Sequence, residues 1–381
     1  MMKTLPRVIV SPVGISLFFN SLNREEDDLR RRLNQHSNDP ELPDALSDEV
    51  ETLSFRAQER LAEGSVSERR RLSAELNGLY GFYDNQMQPN QDIHILIATD
   101  TALGRKAAQI IQQFLQNGIG FANVQIIHPP GLHTASVADF SHGTKDLLNT
   151  FENLLPGYAE NGYEIIFNLT GGFKSLQGYL TIIGMFYADQ IVYIFERSDE
   201  LLRIPRLPLK IDEETLARHA DELALLAAGG VYPRAQLHVS EALLDVDERG
   251  DAMISDWGQL VWNRIKKSLL SKELLKFPYL EYENTFRKDF RNADPNIRIA
   301  LQETLAQVSV LLQESNGNIA ALKKDSRIRY DEYSGQSSSS APIGHFRIDV
   351  GNRVTCVFVN GRLHLRHFGS HDYTEQKEGI R

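Results

Sequence analysis

Short apolar runs alternate with longer amphipathic segments through the first half of the chain. The apolar runs predict strands at 7–10, 93–98, 124–128, 164–168 and 191–196. The amphipathic segments predict helices from about residue 15 and over 47–77, 103–117, 144–155 and 175–187, with a polar loop at 34–46. Each strand is apolar on both faces, which is typical of a parallel sheet covered by helices on both sides. Residues 1–211 are therefore predicted to form one doubly wound α/β domain.

The second half of the chain has a different pattern. Residues 212–276 are mostly helical in pattern and are predicted to link two domains. From residue 277 the pattern predicts two helices, a loop at 334–344 rich in serine and glycine, and a three-stranded meander over 345–350, 353–359 and 362–368. The expected organisation is thus a domain at 1–211, a helical linker at 212–276 and an α+β domain at 277–381.

The meander has a register that the turn residues predict. Asn360-Gly361 is a type I′ hairpin signal that pairs Val359 with Arg362, and a three-residue loop at 350–352 pairs Asp349 with Arg353. One face is then apolar and is predicted to pack on the helices: Phe346, Ile348, Val354, Cys356, Phe358, Leu363 and Leu365. The opposite face is polar: His345, Arg347, Asp349, Arg353, Thr355, Arg362, His364 and Arg366.

Composition excludes several classes of protein. The 381 residues are 41% apolar and 24% charged, as in an ordinary globular protein. The one cysteine, Cys356, cannot form an internal disulfide, and no Cys/His spacing resembles a zinc site, so we expect a reducing, cytoplasmic location and no metal. No apolar run is long enough to cross a membrane, and Pro12 and Gly14 interrupt the N-terminal run, so neither a membrane span nor a signal peptide is expected.

Charge is distributed unevenly along the chain. The net charge is −10 overall, but residues 256–381 carry +4 and the rest carries −14. This asymmetry fits contact with nucleic acid by the C-terminal part alone, or a chance imbalance of solvated side chains.

The segment 165–175 (IIFNLTGGFKS) combines a strand, two glycines and a helix start. Gly171 and Gly172 permit a tight turn and close approach of a ligand, and the helix N-terminus with Lys174 favours an anion such as phosphate. Asn168 could bind a base or ribose, and Thr170 lies in the same turn. A plain strand-to-helix turn is the alternative.

Two other predicted strand ends could face the same crevice. One carries Ser11, Gly14, Ser16 and Asn20, and the other carries Thr99 and Asp100. Such residues are most often helix N-caps, so their joint position at the ends of strands is the stronger indication of a site.

VSPVGISLFFN, the ATD turn and NLTGGFKS together resemble the CARF domain, the CRISPR-associated Rossmann-fold sensor. The resemblance spans about 5–210. It implies a homodimer that binds cyclic tetra-adenylate or hexa-adenylate in a pocket shared by two copies. The residues expected to line this pocket are Ser11, Gly14, Ser16, Asn20, Thr99, Asp100, Asn168, Thr170, Gly171, Gly172 and Lys174.

The polar face of the meander could bind and cleave RNA, or it could be the solvated side of a two-layer domain. Arginines bind phosphate in a planar fork, and histidine and tyrosine exchange protons or stack on bases. A ribonuclease that uses no metal needs these groups: a base for the ribose 2′-hydroxyl, cations for the phosphorane and an acid for the leaving 5′-oxygen.

Residues 277–373 resemble the RelE superfamily of mRNA interferases in the helix–helix–meander order and in HFRIDVGNRVTCVFVNGRLHLRHFGSHDY. The resemblance implies that Arg353 grips the scissile phosphate, with Arg347 as a further cation. His371 and Tyr373 take the acid and base-stacking positions, and Asp349 or His371 could be the general base. The cations expected to position RNA are Lys323, Lys324, Arg327, Arg329 and Arg366.

Together the two resemblances imply an endoribonuclease of type III CRISPR antiviral defence. A cyclic oligoadenylate, most simply cyclic tetra-adenylate, would activate cleavage of mRNA in the A site of the 70S ribosome, giving a 2′,3′-cyclic phosphate without cofactor or metal. Two alternatives remain: a ligand-responsive nucleic-acid-binding regulator without catalysis, and slow cleavage of the ligand in the sensor by Thr170, Lys174 or Ser16.

Overall fold

The computed structural model describes residues 5–195, 200–208, 210–338 and 341–380. The chain divides into two compact units, Met1–Leu209 and Lys210–Arg381. Both units are mixtures of helices and strands. No helix among the described residues combines the length and the apolar character needed to cross a membrane.

The first unit is built around a six-stranded sheet. Its strands are β1 (Arg7–Pro12), β2 (Ile93–Ile97), β3 (Asn123–Ile127), β4 (Glu164–Asn168), β5 (Gln190–Ile194) and β6 (Leu201–Pro205). Its helices are α1 (Ser16–Ser21), α2 (Asp27–Gln35), α3 (Asp44–Glu63), α4 (Val66–Leu72), α5 (Ala74–Phe82), α6 (Ala102–Gln113), α7 (Val137–Glu160) and α8 (Lys174–Tyr187). A π-helical turn, Phe114–Ile119, extends α6.

The strand order is β3-β2-β1-β4-β5-β6, with β1 to β5 parallel and β6 antiparallel at the edge. Ile9 and Ile166 lie in the core beneath α1 to α6, while Phe167 on the other face contacts Phe151 of α7. Helices therefore cover both faces, as in a doubly wound α/β fold. The order reverses between β1 and β4, and open sheets of this kind bind ligands at that switch point.

The five strands predicted for this unit are present with small shifts at their ends, and β6 was missed. The predicted helix 47–77 is three helices. Ser65 and Ser73 interrupt it because each side chain accepts a hydrogen bond from a backbone amide of the following turn and so caps a new helix.

The second unit contains two sheets. Its strands are β7 (Tyr232–Pro233), β8 (Leu244–Val246), β9 (Asp251–Ile254), β10 (Leu280–Tyr282), β11 (Asp331–Ser338), β12 (Ala341–Arg347), β13 (Asn352–Val359) and β14 (Arg362–Ser370). Its helices are α9 (Glu213–Ala217), α10 (Ala220–Ala227), α11 (Asp256–Leu270), α12 (Asn284–Asn292), α13 (Pro295–Glu314), α14 (Ala320–Lys324) and α15 (His371–Glu378). The sheet orders are β7-β9-β8 and β10-β14-β13-β12-β11, and β10 runs parallel to β14.

Residues 212–276, predicted as a helical linker, lie within the second unit. Leu223 of α10 and Trp262 of α11 share a buried core with Phe286 and Leu305. The amphipathic helices bury their apolar faces against α13, and the small β7-β9-β8 sheet, which the helical pattern did not predict, packs on the same core.

The C-terminal meander keeps the predicted faces but not the full predicted register. Val359 pairs with Arg362 and Val357 with His364, as expected. A bulge at Arg366 then shifts the strand, so that Thr355 pairs with His367 and not with Arg366. The loop before β13 is longer than predicted, so Arg347 pairs with Arg353 in place of Asp349. This shift is by two residues, an even number, so Phe346, Val354 and the other apolar residues still face the core.

The serine-rich segment is not a loop over its described length. Residues up to Ser338 form β11, which pairs antiparallel with β12 through Ser338 and Ala341. Ser339 and Ser340 lie outside the described residues.

A buried glutamine joins the predicted linker to the C-terminal helices. Gln302 of α13 has no exposed surface, and its amide donates to the carbonyls of Leu270 at 2.6 Å and Glu273 at 2.8 Å. Its carbonyl oxygen accepts from the amide of Leu275 at 2.7 Å.

Replacing Gln302 by alanine is expected to lower the free energy of unfolding of the second unit by about 2–4 kcal/mol, because three buried backbone groups lose their partners. Urea unfolding followed by tryptophan fluorescence measures this directly, since both tryptophans, Trp257 and Trp262, lie in α11. Gln307→Ala, on the half-buried face of the same helix, is the control and should change stability by less than about 0.5 kcal/mol. Equal effects of the two variants would contradict the shared core.

Candidate functional site

A cavity of about 420 Å³ lies where the carboxyl ends of β1, β2 and β4 meet, at the switch point of the sheet. Five residues that the sequence predicted as ligand contacts line it: Gly14, Ser16, Asn20, Thr99 and Gly172. Sequence reasoning missed several others: Ile15, Phe19, Asn34, Ser37, Asn38, Thr101, Thr134 and Phe173. The wall is therefore made of hydroxyl and amide groups beside aromatic and aliphatic side chains.

The glycines form a corner where two turns touch. A Cβ atom on Gly14 would lie 3.4 Å from the amide nitrogen of Gly172. Gly172 has a φ of +84°, and a Cβ there would lie 2.8 Å from the Cβ of Pro12. A Cβ on Gly171 would overlap the side chain of Glu75. Glycine is thus required at the twin positions for backbone conformation and for space.

Glu75 occupies this corner, which the sequence did not predict. Its side chain is fully buried, and Oε1 accepts a hydrogen bond from the Gly14 amide at 2.6 Å. Oε2 accepts from the Ser73 hydroxyl at 2.6 Å, and the Gly172 amide also donates to the carboxylate. Burial raises the pKa of Glu75, and the hydrogen bonds from Gly14 and Ser73 partly oppose that rise.

The Glu75 contacts change where a ligand anion could bind. The amides of Gly14 and Gly172, expected to face a phosphate, donate to an internal carboxylate. In the described chain no side chain caps the start of α8, so its first-turn amides remain the anion-binding feature of the corner. Lys174, the first residue of α8, is exposed there.

Ser11 and Asn168 were expected to touch the ligand, yet both are completely buried. The Asn168 amide donates to the Ser11 hydroxyl at 3.2 Å and to the backbone carbonyl of Glu75 at 3.0 Å. The Asn168 side chain therefore ties β1 and α5 to the end of β4. Thr170 packs against α5 at Gly78, and its buried hydroxyl has no hydrogen-bond partner among the described residues.

The second strand end also differs from expectation. Thr99 lines the cavity, and its hydroxyl lies 2.9 Å from that of Thr101, which caps α6. Asp100 pairs with Arg105 at 2.8 Å and accepts from the Gly131 amide at 3.0 Å, so its carboxylate holds a neighbouring loop.

The segment 34–43 forms one wall of the cavity. Asn38 accepts hydrogen bonds from the amide and the hydroxyl of Thr134, at 3.2 and 2.8 Å, and so joins two loops beside the cavity. On the opposite wall the Ser16 hydroxyl accepts from the Ala74 amide, and Asn20 donates to the carbonyl of Arg71. The polar loop was recognised in the sequence, but nothing local indicated that it meets residue 134.

A second candidate site lies on the polar face of the C-terminal sheet. Tyr333 of β11 stacks on His345 of β12, with ring centres 4.5 Å apart. Burial lowers the pKa of His345, and the nearby charges of Arg353 and His371 lower it further. Burial raises the pKa of Tyr333, and neighbouring Arg353 opposes that rise. Four groups from three strands and a helix start are thus brought together.

Two polar atoms of this group are buried without a hydrogen-bond partner in the described chain, the Tyr333 hydroxyl and His345 Nδ1. Unpartnered buried polar atoms are uncommon in folded proteins and are typical of sites that bind a ligand. Sequence reasoning placed His345 on this face but assigned it no role, and it missed Tyr333 because β11 was not expected.

Three other predicted residues are engaged in internal contacts. Asp349 accepts from the amides of Gly351 and Asn352, both at 2.7 Å, and these bonds lower its pKa although burial opposes them. The Tyr373 hydroxyl donates to Asp289 at 2.7 Å, and burial together with this carboxylate raises its pKa to about 12. Arg366 donates to Glu378 of α15 at 3.0 Å. These groups hold the turn before β13 and the helix α15 in place.

The predicted RNA-positioning cations fall into two groups. Arg327 pairs with Asp325 at 2.8 Å and Lys323 with Glu332 at 3.0 Å, so part of their charge is neutralised. Lys324 and Arg329 are exposed, and Arg347 is half-buried beside Arg353 across the strand pair. His371, the first residue of α15, lies 3.0 Å from Glu375.

Residues 70–207 match a family model described as a CRISPR-associated protein (Cas_APE2256). The match supports a CRISPR-associated protein. It begins just before α5 and ends after β6, so it includes Glu75, Thr99 and the twin glycines but none of the second unit.

Replacing Glu75 by glutamine should change how stability depends on pH. Because burial raises the folded-state pKa above 4.5, wild-type stability is greatest below pH 4.5 and is lost as pH rises toward the folded value. The E75Q variant keeps an acceptor for the glycine amides and lacks this loss, so it should gain stability relative to wild type between pH 5 and pH 8. Calorimetric melting of the full chain measures the difference.

Glu75→Ala is the comparison, since it leaves buried donors unpaired and should cost about 2–4 kcal/mol. If E75Q and wild type differ equally at both pH values, Glu75 does not titrate as its burial requires.

Proposed function

We propose that the chain is a ribonuclease activated by a cyclic oligoadenylate, with cyclic tetra-adenylate as activator. The observation that carries this proposal is the cavity at the switch point, lined by glycines and hydroxyl groups beside the start of α8. The family match, which suggests a role in CRISPR defence, covers that half of the first unit.

The cavity offers contacts for both parts of a nucleotide. Amides of the first turn of α8 and the Lys174 ammonium would bind phosphate. Phe19 and Phe173 supply faces on which adenine can stack, and Ser16 and Thr99 supply hydroxyls for ribose. A volume of about 420 Å³ suits a small ligand and not four nucleotides. The ring would therefore extend over the cavities of two copies, which implies a homodimer.

The second unit would carry out the cleavage. The order β10-α12-α13-β11-β12-β13-β14, with β10 parallel to β14, supports the resemblance to the RelE superfamily. In this mechanism Arg353 binds the scissile phosphate and stabilises the charge that develops on it. Messenger RNA held in the ribosomal A site is the proposed substrate.

His345 is better suited to be the general base than Asp349. Its lowered pKa keeps the imidazole neutral near pH 7, and Nδ1 has no partner in the described chain. His345 would take the proton of the ribose 2′-hydroxyl, whose oxygen then attacks phosphorus. The 5′-oxygen leaves with a proton donated by His371, and a 2′,3′-cyclic phosphate forms. Tyr373, with a pKa near 12, stays protonated and positions the backbone through Asp289.

Activation requires that the ligand bind the active arrangement more tightly than the inactive one. Helix α15 is the element at which such a change would act, because it packs on β13 and β14 and its Glu378 accepts hydrogen bonds from Thr355 and Arg366. The same contacts favour the second candidate function, a ligand-responsive RNA-binding regulator, because they neutralise cations that a nuclease could use.

Cleavage of ribosome-bound messenger RNA, with and without cyclic tetra-adenylate, tests the proposal. We expect cleavage only with the ligand, and Arg353→Ala should lower the rate by about 10²–10³-fold because the developing charge loses its cation. Arg362→Ala is the matched control, since Arg362 is an exposed arginine of the same sheet that pairs with Glu281.

Cleavage that is equal with and without ligand would contradict the switch. A binding regulator would show no cleavage in any variant and only a modest, salt-dependent loss of RNA affinity in Arg353→Ala.

A further inference from the structure

Two histidines and a glutamate meet in the second unit, away from the residues assigned to RNA cleavage. His219 immediately precedes α10, Glu222 lies in the first turn of that helix, and His238 follows the short helical turn Arg234–Gln236. The three candidate donor atoms lie within 4.8 Å of one another.

The geometry of the group is specific. Glu222 Oε1 lies 2.7 Å from His238 Nδ1 and 3.7 Å from His219 Nδ1. The two imidazole rings are nearly parallel, at 8°, with centres 5.8 Å apart, and each turns its Nδ1 toward the same oxygen. Around a tetrahedral zinc ion with bonds of about 2.0–2.1 Å, ligand atoms are roughly 3.3 Å apart. The two measured distances bracket that value.

We propose that His219, Glu222 and His238 bind a zinc ion. Two imidazole nitrogens and one carboxylate form a ligand set that zinc accepts, and they disfavour magnesium and calcium, which prefer oxygen ligands. A water molecule completes the tetrahedron, because the His238 side chain is 70% exposed and leaves that side of the group open.

The backbone orients the carboxylate for this role. Glu222 Oε2 accepts hydrogen bonds from the amides of His238 at 2.7 Å and Val239 at 3.3 Å. These two bonds fix the plane of the carboxylate and leave Oε1 directed at the two rings. Outer contacts of this kind orient metal ligands in known sites.

The proposed ion would join two segments of the core. Leu223 and Leu226 of α10 are buried beside Glu222, and Leu237 and Val239 are buried on either side of His238. Zinc would therefore cross-link α10 to the segment 237–239 and stabilise the second unit. The sequence did not indicate this site because fifteen residues separate Glu222 from His238 and no cysteine is nearby.

Zinc binding to the full chain, after chelator treatment and dialysis, tests the proposal with the metal alone. Wild type is expected to bind one zinc per chain at this site, and His238→Ala should bind it at least about 100-fold more weakly, since it lacks a direct ligand. Zinc should raise the midpoint of tryptophan-monitored melting for wild type and not for His238→Ala. Cobalt(II) alone should give the visible absorption of a tetrahedral site in wild type only.

His36→Ala is the matched control, because His36 Nδ1 also lies 2.7 Å from a carboxylate oxygen, that of Asp39, but has no third ligand. It should bind zinc as wild type does. Glu222→Gln, which can keep the backbone hydrogen bonds, should also lose affinity. Zinc affinities of His238→Ala and Glu222→Gln equal to that of wild type would overturn the proposal, as would no binding by wild type.

Discussion

The buried carboxylate of Glu75 is the contact on which the first unit's site depends. It accepts hydrogen bonds from the Gly14 and Gly172 amides, which belong to the turns after β1 and β4, and it lies at the start of α5. One side chain thus joins the two strands between which the sheet order reverses. A carboxylate without solvent is costly unless its oxygens are hydrogen-bonded, so the two glycine turns and Ser73 must keep their positions.

This arrangement explains why the cavity has its present shape. The glycine corner is already satisfied by Glu75, so the space in front of it is bounded by the start of α8, the hydroxyl of Thr99 and the loop that holds Asn38. A negatively charged ligand placed there would lie close to a carboxyl group whose pKa is already raised. Ligand binding and protonation of Glu75 would then favour each other.

The sequence was informative wherever the signal was local. The apolar runs located five strands of the first sheet, and the twin glycines marked the tight turn after β4 correctly. Asn360-Gly361 set the register of the last hairpin as far as Cys356. Contacts between distant residues were not accessible. Glu75 lies on a helix far from Gly172 in sequence, and no pattern indicates that their atoms meet.

The same limit applies to the C-terminal sheet. The polar face was predicted, but a single bulge at Arg366 turned that side chain toward Glu378, and no alternation of residue types announces a bulge. Tyr333 was missed because serine and glycine are poor strand formers, so 331–338 did not look like a strand. The pairing of β11 with β12 overrides that weak local preference.

Hydrogen–deuterium exchange of the full chain with and without cyclic tetra-adenylate tests the central claim most directly, namely that the ligand binds at the Glu75 corner. The account predicts slower exchange at 12–20, 97–104 and 170–178 when the ligand is saturating. Protection confined to other segments, or none at all, would contradict it.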